Sequence, residues 1–210
     1  MTTLSGLVAR ALDPDVAPPD DAVSERILDA ALDLAAASGV RHLTMEDVAR
    51  AAGVGRATVY RRFGDRDRLV EALNTREARR CLRTLAEAAD PAAPILDQFA
   101  DGFATSVRLL HEHPLLRRLV LVDRATLLKS LDDGMFELAR GFLASRIRVA
   151  QELGLVRDVD ANQAAEVLTR VTTSFALLPT SVLPLEDPEG AREVARQLLA
   201  PILFAEATDQ

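Results

Sequence analysis

The chain has 210 residues, of which 49% are hydrophobic and 4% aromatic, and its formal net charge is −7. This length can bury a substantial core in one or two domains, and the hydrophobic content excludes wholesale disorder. The single cysteine, Cys81, excludes an intramolecular disulfide and a cysteine metal cluster. Because no signal peptide or membrane-length apolar run is found, we expect a cytoplasmic protein without a membrane partner.

Residues 1–23 are interpreted as a flexible extension. Their apolar spacing permits a short helix over 4–12, but the segment that follows is rich in proline and aspartate. An arm that contacts DNA through Arg10 is the alternative, and the nearby aspartates favour an ordinary disordered tail.

The next three segments are predicted to be helices that form a helix-turn-helix domain over 24–69. Ser24 is a good N-cap for the first helix, and Gly39 supplies its stop. Thr44 begins the second helix, with Asp47 in the position of a capping-box partner. Two short helices joined by a glycine-bounded turn and braced by a longer helix are typical of DNA-binding domains.

The third predicted helix opens at Gly55 and has two distinct faces. Val59 and Phe63 share the inward face, and the outward face carries Arg56, Ala57, Tyr60 and Arg61. Residues 41–83 contain 11 arginines and 6 acidic residues, a net charge of +5, in an otherwise acidic chain. A local basic segment of this kind is the electrostatic feature expected of a nucleic-acid surface.

We therefore expect the third helix to enter the major groove of double-stranded DNA. Arginine can read guanine with two hydrogen bonds, and helix amino termini bind phosphates. Thr44 and Arg66 are expected beside the phosphate backbone. The full set of predicted DNA-binding residues is Thr44, Arg56, Ala57, Thr58, Tyr60, Arg61, Arg62 and Arg66. The alternative is a solvated arginine face on a helical bundle.

The remainder of the chain is predicted to be helical, which gives an all-α fold of nine helices. A long helix runs from Asp65 to about Ala89, and the boundary signals place further helices at 92–112, 114–127, 130–153, 160–178 and 188–206. Pro201 is expected to kink the last helix or end its regular part.

Three side chains in these helices have competing interpretations. Cys81 lies on an apolar helix side, which favours an inert core residue over a thiol sensor. His111 and His113 are two residues apart at a helix end, which favours solvent-side or capping roles over a metal pair. No metal and no cofactor is predicted.

Residues 24–73 resemble the DNA-binding domain of the tetracycline-repressor (TetR) family. Arg66 replaces the family's usual lysine, and Gly55 replaces a serine that would supply a cap acceptor. The residues that match the family pattern are Thr44, Val48, Ala49, Ala52, Gly53, Val54, Thr58, Tyr60, Phe63 and Leu69. The resemblance implies phosphate contacts by Thr58 and Tyr60, and base contacts by Arg56, Ala57 and Arg61.

The resemblance also implies a helical regulatory and dimerisation domain over 70–210. An effector pocket among its middle helices would use Phe99, Phe103, Val107, Leu119, Met135, Phe136, Phe142 and Phe175. A homodimer interface on the last two helices would use Leu168, Val171, Thr172, Phe175, Val194, Leu198 and Ile202. The alternatives are that these residues are ordinary core and that the protein is monomeric.

These expectations describe a bacterial homodimeric transcriptional regulator, nucleoid-associated when bound to DNA. It would be a repressor, released from a pseudo-palindromic operator by an unidentified small molecule. An enzyme on a helical bundle is one alternative, but no nucleophile–histidine arrangement is recognisable. A scaffold that binds only protein is another, and it predicts no salt-dependent DNA binding.

Overall fold

The computed structural model describes residues 21–130, 135–178 and 181–204, and their regular structure is helical throughout. The helices are α1 (Ala22–Ser38), α2 (Met45–Ala51), α3 (Arg56–Phe63), α4 (Arg66–Glu87), α5 (Ile95–Glu112), α6 (Pro114–Leu121), α7 (Arg124–Ser130), α8 (Phe136–Glu152), α9 (Ala161–Leu177) and α10 (Pro188–Val194). Short 3₁₀ or π turns occupy Val40–His42, Ala195–Leu199 and Ala200–Ile202. The predicted all-α fold is confirmed.

Each of the nine predicted helices has a counterpart in the described ranges, with two changes of outline. The helix predicted over 114–127 is divided into α6 and α7 by Val122 and Asp123. The last helix keeps α-helical geometry only to Val194, and Pro201, which has no N–H to donate to the carbonyl four residues earlier, lies in a 3₁₀ turn. The helix predicted over 4–12, with Arg10, lies outside the described residues.

The first helix begins earlier than predicted. Asp21 is its N-cap, because the Asp21 carboxylate accepts hydrogen bonds from the amides of Val23 and Ser24 at 3.0 and 3.1 Å. Ser24 is fully buried, and its hydroxyl donates to the same carboxylate at 3.0 Å. The prediction of Ser24 as the cap was wrong because both residue types cap well, and the sequence does not decide between them.

The chain divides into two compact units. Among the described residues, one unit comprises 21–82 together with His113–Leu128, and the other comprises Arg83–Glu112 together with the described residues from Lys129 onward. The first unit therefore extends past the predicted boundary at residue 69 and includes α6.

The core of the first unit explains this extent. Leu69 and Leu73 of α4 are fully buried in one apolar cluster with side chains of α1, α2 and α3, and Leu115 of α6 packs against it. The buried members from the first three helices include Ile27, Leu28, Ala31, Val48, Ala49, Val59 and Phe63. Each large side chain buried in this way stabilises the unit by roughly 1.5–3 kcal/mol.

The core of the second unit is formed by α5, α8, α9 and the segment from Leu185 to Phe204. Its buried members include Ala100, Phe103, Val107, Ala144, Ile147, Ala165, Leu168, Val194 and Leu199. Arg192 and Arg196 form ion pairs to α5, with Asp101 at 2.6 Å and Asp97 at 3.1 Å. Within the described ranges, no helix is long and apolar enough to cross a membrane.

Candidate nucleic-acid interface

Helix α3 buries one face and exposes the other. Val59 and Phe63 are 0% and 5% exposed, so they anchor the helix in the core of the first unit. The exposed side chains are Arg56, Ala57, Tyr60 and Arg61, and Thr58 is half-buried. The predicted inward and outward faces are confirmed.

Glycines set the ends of α3. Gly53 and Gly64 have φ angles of 64° and 78°, a region that other residues rarely adopt. The Gly64 amide donates to the Tyr60 carbonyl at 2.8 Å and closes the helix. Gly55 occupies the N-cap without a side-chain hydrogen bond, so no cap side chain occupies the space where an anion would meet the first amides of α3.

Thr44 caps α2 as predicted. Its hydroxyl oxygen accepts a hydrogen bond from the Asp47 amide at 3.1 Å, and its O–H donates to the Asp47 carboxylate at 2.6 Å. Because the hydroxyl is shared with an acidic side chain, a phosphate contact by Thr44 has to compete with Asp47. The DNA contact of Thr44 remains a prediction.

Arg56 is held by two neighbours. Its guanidinium forms an ion pair with Glu46 of α2, and its Nη2 donates to the Tyr60 hydroxyl at 3.4 Å. The guanidinium carbon also lies 5.3 Å from the centre of the Tyr60 ring. The hydrogen bond to Tyr60 and the charge of Glu46 raise the pKa of Arg56 further above its ordinary value.

Arg61 is exposed on the same helix and differs from Arg56 in this respect. It forms no hydrogen bond or ion pair with any residue in the described part of the chain. Its guanidinium is therefore exposed and has no competing partner among the described residues.

Arg62 is turned toward α1. It forms an ion pair with Asp21, the cap of α1, and its Nη1 donates to the Ser24 hydroxyl at 2.9 Å. The hydrogen bonds from the Ser24 amide and hydroxyl and from Arg62 lower the pKa of Asp21 despite some opposing desolvation. Arg62 thus joins α3 to the start of α1, a structural role that the sequence analysis did not predict.

Arg66 also has an internal role. Its guanidinium donates to the backbone carbonyls of Val40, Leu43 and Arg41 at 2.8, 2.9 and 3.2 Å. These carbonyls end the turn between α1 and α2, so Arg66 closes that connection from α4. The predicted phosphate contact of Arg66 has to coexist with these bonds.

A buried ionic cluster in the first unit was not predicted. The Arg76 side chain is 5% exposed, and its guanidinium lies 2.8 Å from Glu77, 2.8 Å from Asp29 and 3.2 Å from Glu25. His113 Nε2 lies 3.1 Å from the second carboxylate oxygen of Glu77. The sequence signal was available, since these charges continue the helical spacing of the apolar stripe of α4.

Glu77 is ionised in this cluster. Burial alone raises the pKa of a carboxyl, but the hydrogen bond with His113 and the charges of Arg76 and Arg80 outweigh it and hold the pKa of Glu77 below its ordinary value. The cluster therefore carries paired charges in a largely desolvated position.

The two histidines were predicted to have solvent-side or capping roles, and neither side chain forms a cap hydrogen bond among the described residues. His113 occupies the N-cap position of α6, but its side chain is only 12% exposed and faces Glu77. His111 Nε2 is buried and has no hydrogen-bond partner within the described ranges. No group of three or more potential ligands that could hold a metal ion occurs among the described residues.

Cys81 is half-buried in α4. Burial first, and then the charge of Glu77, raises the pKa of Cys81 to about 11. Because the thiolate is the reactive form, this environment favours the inert role over the thiol sensor.

Four of the eight predicted effector-pocket residues share the core of the second unit. Phe103 and Val107 are buried core, with Phe99 and Phe175 packed against them; the Phe103 and Phe175 ring centres are 6.2 Å apart. Leu119 belongs to the first unit. Met135, Phe136 and Phe142 are half-buried and lie outside the core cluster, where α8 contributes Leu143, Ala144 and Ile147.

A cavity of about 430 Å³ lies elsewhere in the second unit. Its lining includes Ala104, Arg108 and His111 of α5 and Leu185, Ala191 and Arg192 near α10. None of the eight predicted pocket residues lines it.

Most of the predicted dimer residues face their own protomer. Leu168 and Val194 are 3% and 6% exposed in the core of the second unit, and their contact with a second protomer stays a prediction. The side chains of Val171, Phe175 and Ile202 pack partly against that core, and Thr172 is half-buried with its hydroxyl donating to the Leu168 carbonyl. Leu198 is 55% exposed, and Val167, which precedes Leu168 on α9, is 49% exposed.

Comparisons with known proteins agree with a helix-turn-helix regulator. A family model described as bacterial regulatory proteins, tetR family, matches residues 27–73. An uncharacterized HTH-type transcriptional regulator of Mycobacterium bovis is 31% identical over 157 residues, which cover 71% of this chain and 77% of that protein.

Solved structures share the fold over most of the chain. Salmonella enterica GusR matches with a TM-score of 0.65 at 20% identity, over 91% of this chain and 98% of that one. A TetR-family transcriptional regulator from Haemophilus influenzae matches with a TM-score of 0.61 at 21% identity, over 83% and 94%. The chain belongs to the TetR family of DNA-binding transcriptional regulators.

Proposed function

We propose that the protein acts as a homodimer that represses transcription from a pseudo-palindromic operator and leaves it when a small molecule binds. The observation that carries the proposal is the exposed face of α3, which is anchored by Val59 and Phe63 and presents an Arg61 side chain that no described residue pairs with. A two-fold pair of such helices would read half-sites about 34–36 Å apart.

The effector would act through the spacing of the two recognition helices. A ligand that prefers the DNA-incompetent arrangement by about 1–3 kcal/mol is enough to regulate binding. The cavity beside α5 offers space for such a ligand, since its volume of about 430 Å³ is typical of small-molecule sites.

The test is selection of binding sites from random duplex DNA with the purified protein, followed by measurement of its affinity for the selected site. We expect a sequence with two related half-sites. Binding that is equal for all sequences, or an absence of binding at low salt, would contradict the proposal.

Arg61→Ala examines the contribution of one base-reading side chain. We expect the free energy of binding to the selected site to weaken by about 1–3 kcal/mol, with a much smaller change on unrelated DNA, because a bidentate contact to guanine is lost. Fluorescence anisotropy with both duplexes measures the two effects. Equal losses on the two duplexes would reject base contact by Arg61.

A further inference from the structure

An acidic side chain lies on the face that is proposed to meet DNA. Glu46 is in the first turn of α2, its side chain is 57% exposed, and its carboxylate is paired with the guanidinium of Arg56 at the start of α3. The adjacent Asp47 has other partners, since its carboxylate accepts a hydrogen bond from Thr44 and pairs with Arg50. Glu46 is therefore the acidic residue of α2 that pairs with Arg56.

The pair does more than neutralise a charge, because Tyr60 holds the guanidinium from another side. Nη2 of Arg56 donates to the Tyr60 hydroxyl at 3.4 Å, and the guanidinium carbon is 5.3 Å from the ring centre. An exposed arginine side chain normally samples many rotamers. Contacts with a carboxylate, a hydroxyl and an aromatic ring limit Arg56 to a small part of that range.

The pairing of Arg56 affects its binding to DNA phosphates and to guanine differently. Every duplex presents the same row of phosphates, so an unpaired arginine strengthens binding to all sequences alike. A guanidinium that is already paired gains little from a phosphate, because it exchanges one anion for another. A guanine edge offers two directed acceptors and is present only at particular positions.

We propose that Glu46 is a positioning residue for DNA recognition: it holds the Arg56 guanidinium against Tyr60 and thereby suppresses phosphate binding at non-operator DNA. This role rests on the proposed function, since it concerns the same DNA-facing surface. Arg61, with no partner among the described residues, is the matched arginine that lacks this restraint.

The test compares wild-type protein with Glu46→Gln, which keeps the shape of the side chain and removes its charge. Affinity is measured by anisotropy on the selected operator and on an unrelated duplex of equal length, over a range of KCl concentrations. We expect Glu46→Gln to bind the unrelated duplex roughly 3- to 10-fold more tightly, with a salt slope steeper by about one phosphate contact. The ratio of operator to non-operator affinity should fall at least threefold.

Three controls separate positioning from a general change of charge. Glu87→Gln, at the exposed end of α4, makes the same charge change and should leave the ratio unaltered. The effect of Glu46→Gln should vanish in an Arg56→Ala background, because the two residues act as one unit. Glu46→Asp should restore part of the wild-type ratio.

The outcomes distinguish this role from the proposed function. If Glu46→Gln leaves both the ratio and the salt slope unchanged while the wild-type protein still selects an operator, Glu46 has no positioning role and the proposed function stands. An equal effect of Glu87→Gln, or persistence of the effect without Arg56, would also overturn the role. If the wild-type protein selects no sequence, the proposed function fails and the role of Glu46 fails with it.

Discussion

Arg66 shows how one side chain can match a family position and still have a structural task. It stands where the family resemblance implies a lysine near phosphate, yet its guanidinium satisfies three backbone carbonyls of the turn between α1 and α2. Arg62 similarly serves the cap of α1. Basic residues near a recognition helix therefore divide into those that hold the domain together and those that remain available to DNA.

Arg66→Ala separates these two tasks. We expect the free energy of unfolding to fall by about 1–3 kcal/mol, because part-buried carbonyls lose their donor. Urea denaturation measures this change, with Arg61→Ala as a control that should stay within about 0.5 kcal/mol of wild type. Unchanged stability together with a salt slope reduced by one phosphate would show that Arg66 serves DNA instead.

Glu77 predicts how stability depends on pH. Its pKa is lowered in the folded state, so it contributes stability above its unfolded pKa of about 4.3 and loses that contribution as pH falls through the lower folded value. Glu77→Gln should cost about 3 kcal/mol near pH 7, because Arg76 then keeps a buried charge with one partner fewer.

The measurement is urea unfolding of wild type and Glu77→Gln between pH 7 and pH 3. The difference in free energy between them should shrink below about pH 4, as the wild-type carboxyl takes up a proton. Glu87→Gln, an exposed carboxylate on the same helix, should show no comparable difference. A gap for Glu77→Gln that is constant over this range would rule out the charged pair as its cause.

Two glycines inside helices, Gly190 in the first turn of α10 and Gly141 in α8, differ in how closely neighbouring atoms approach them. A Cβ on Gly190 of α10 would lie 2.7 Å from the Pro184 Cβ and closer still to the Pro184 carbonyl oxygen. A Cβ on Gly141 of α8 would meet nothing within 4 Å. The same Gly→Ala change should therefore have opposite signs at the two positions.

Gly190→Ala should destabilise the protein by about 1–3 kcal/mol, because the 184–190 turn has to open. Gly141→Ala should stabilise it by about 0.5–1 kcal/mol through helix propensity. Thermal unfolding followed by circular dichroism gives both values. A stabilising Gly190→Ala would mean that Pro184 does not contact α10 in solution.

The recognition helix was predictable from sequence because its determinants are local. Gly55 before it, Gly64 after it, and Val59 and Phe63 at a spacing of four fix its ends and its buried face within ten residues. The N-cap role of Thr44, which depends only on residues 44–47, was likewise predicted from sequence and is confirmed. The recognition helix is part of the longer segment, residues 27–73, that the family model matches.

Features that depend on distant contacts were predicted less well. Val122 and Asp123 interrupt the predicted helix over 114–127, although neither is a helix breaker of the glycine or proline type. On α8 the apolar pattern included Phe142, but the side chain that packs on the core is Leu143. A hydrophobic stripe identifies that a face is buried, and only the fold decides what it packs against.

For the whole molecule, the distribution of apolar surface bears on assembly. Leu168 and Val194 are used within the core of the second unit, whereas Val167 of α9 and Leu198 of the π turn that follows α10 are 49% and 55% exposed. Large exposed apolar side chains commonly mark interaction surfaces. If the homodimer forms through the carboxyl-terminal helices, these two residues are better candidates for the contact than the buried ones.

Val167→Glu and Leu198→Glu, made singly and together, test this surface. We expect the double variant to sediment with half the mass of the wild-type protein. In a two-fold interface each protomer contributes the same substituted side chain, so every introduced carboxylate is buried in two copies. Affinity for the selected operator should fall at least tenfold, since each half-site is then bound separately. Unfolding of the monomer should be unaffected, because both side chains are exposed in the single chain.

Leu153→Glu, at a side chain 67% exposed beside the end of α8, is the matched control and should leave the mass unchanged. If Leu153→Glu dissociates the protein and the double variant does not, the interface lies at the end of α8; a wild-type protein that sediments as a monomer would contradict the proposed homodimer itself.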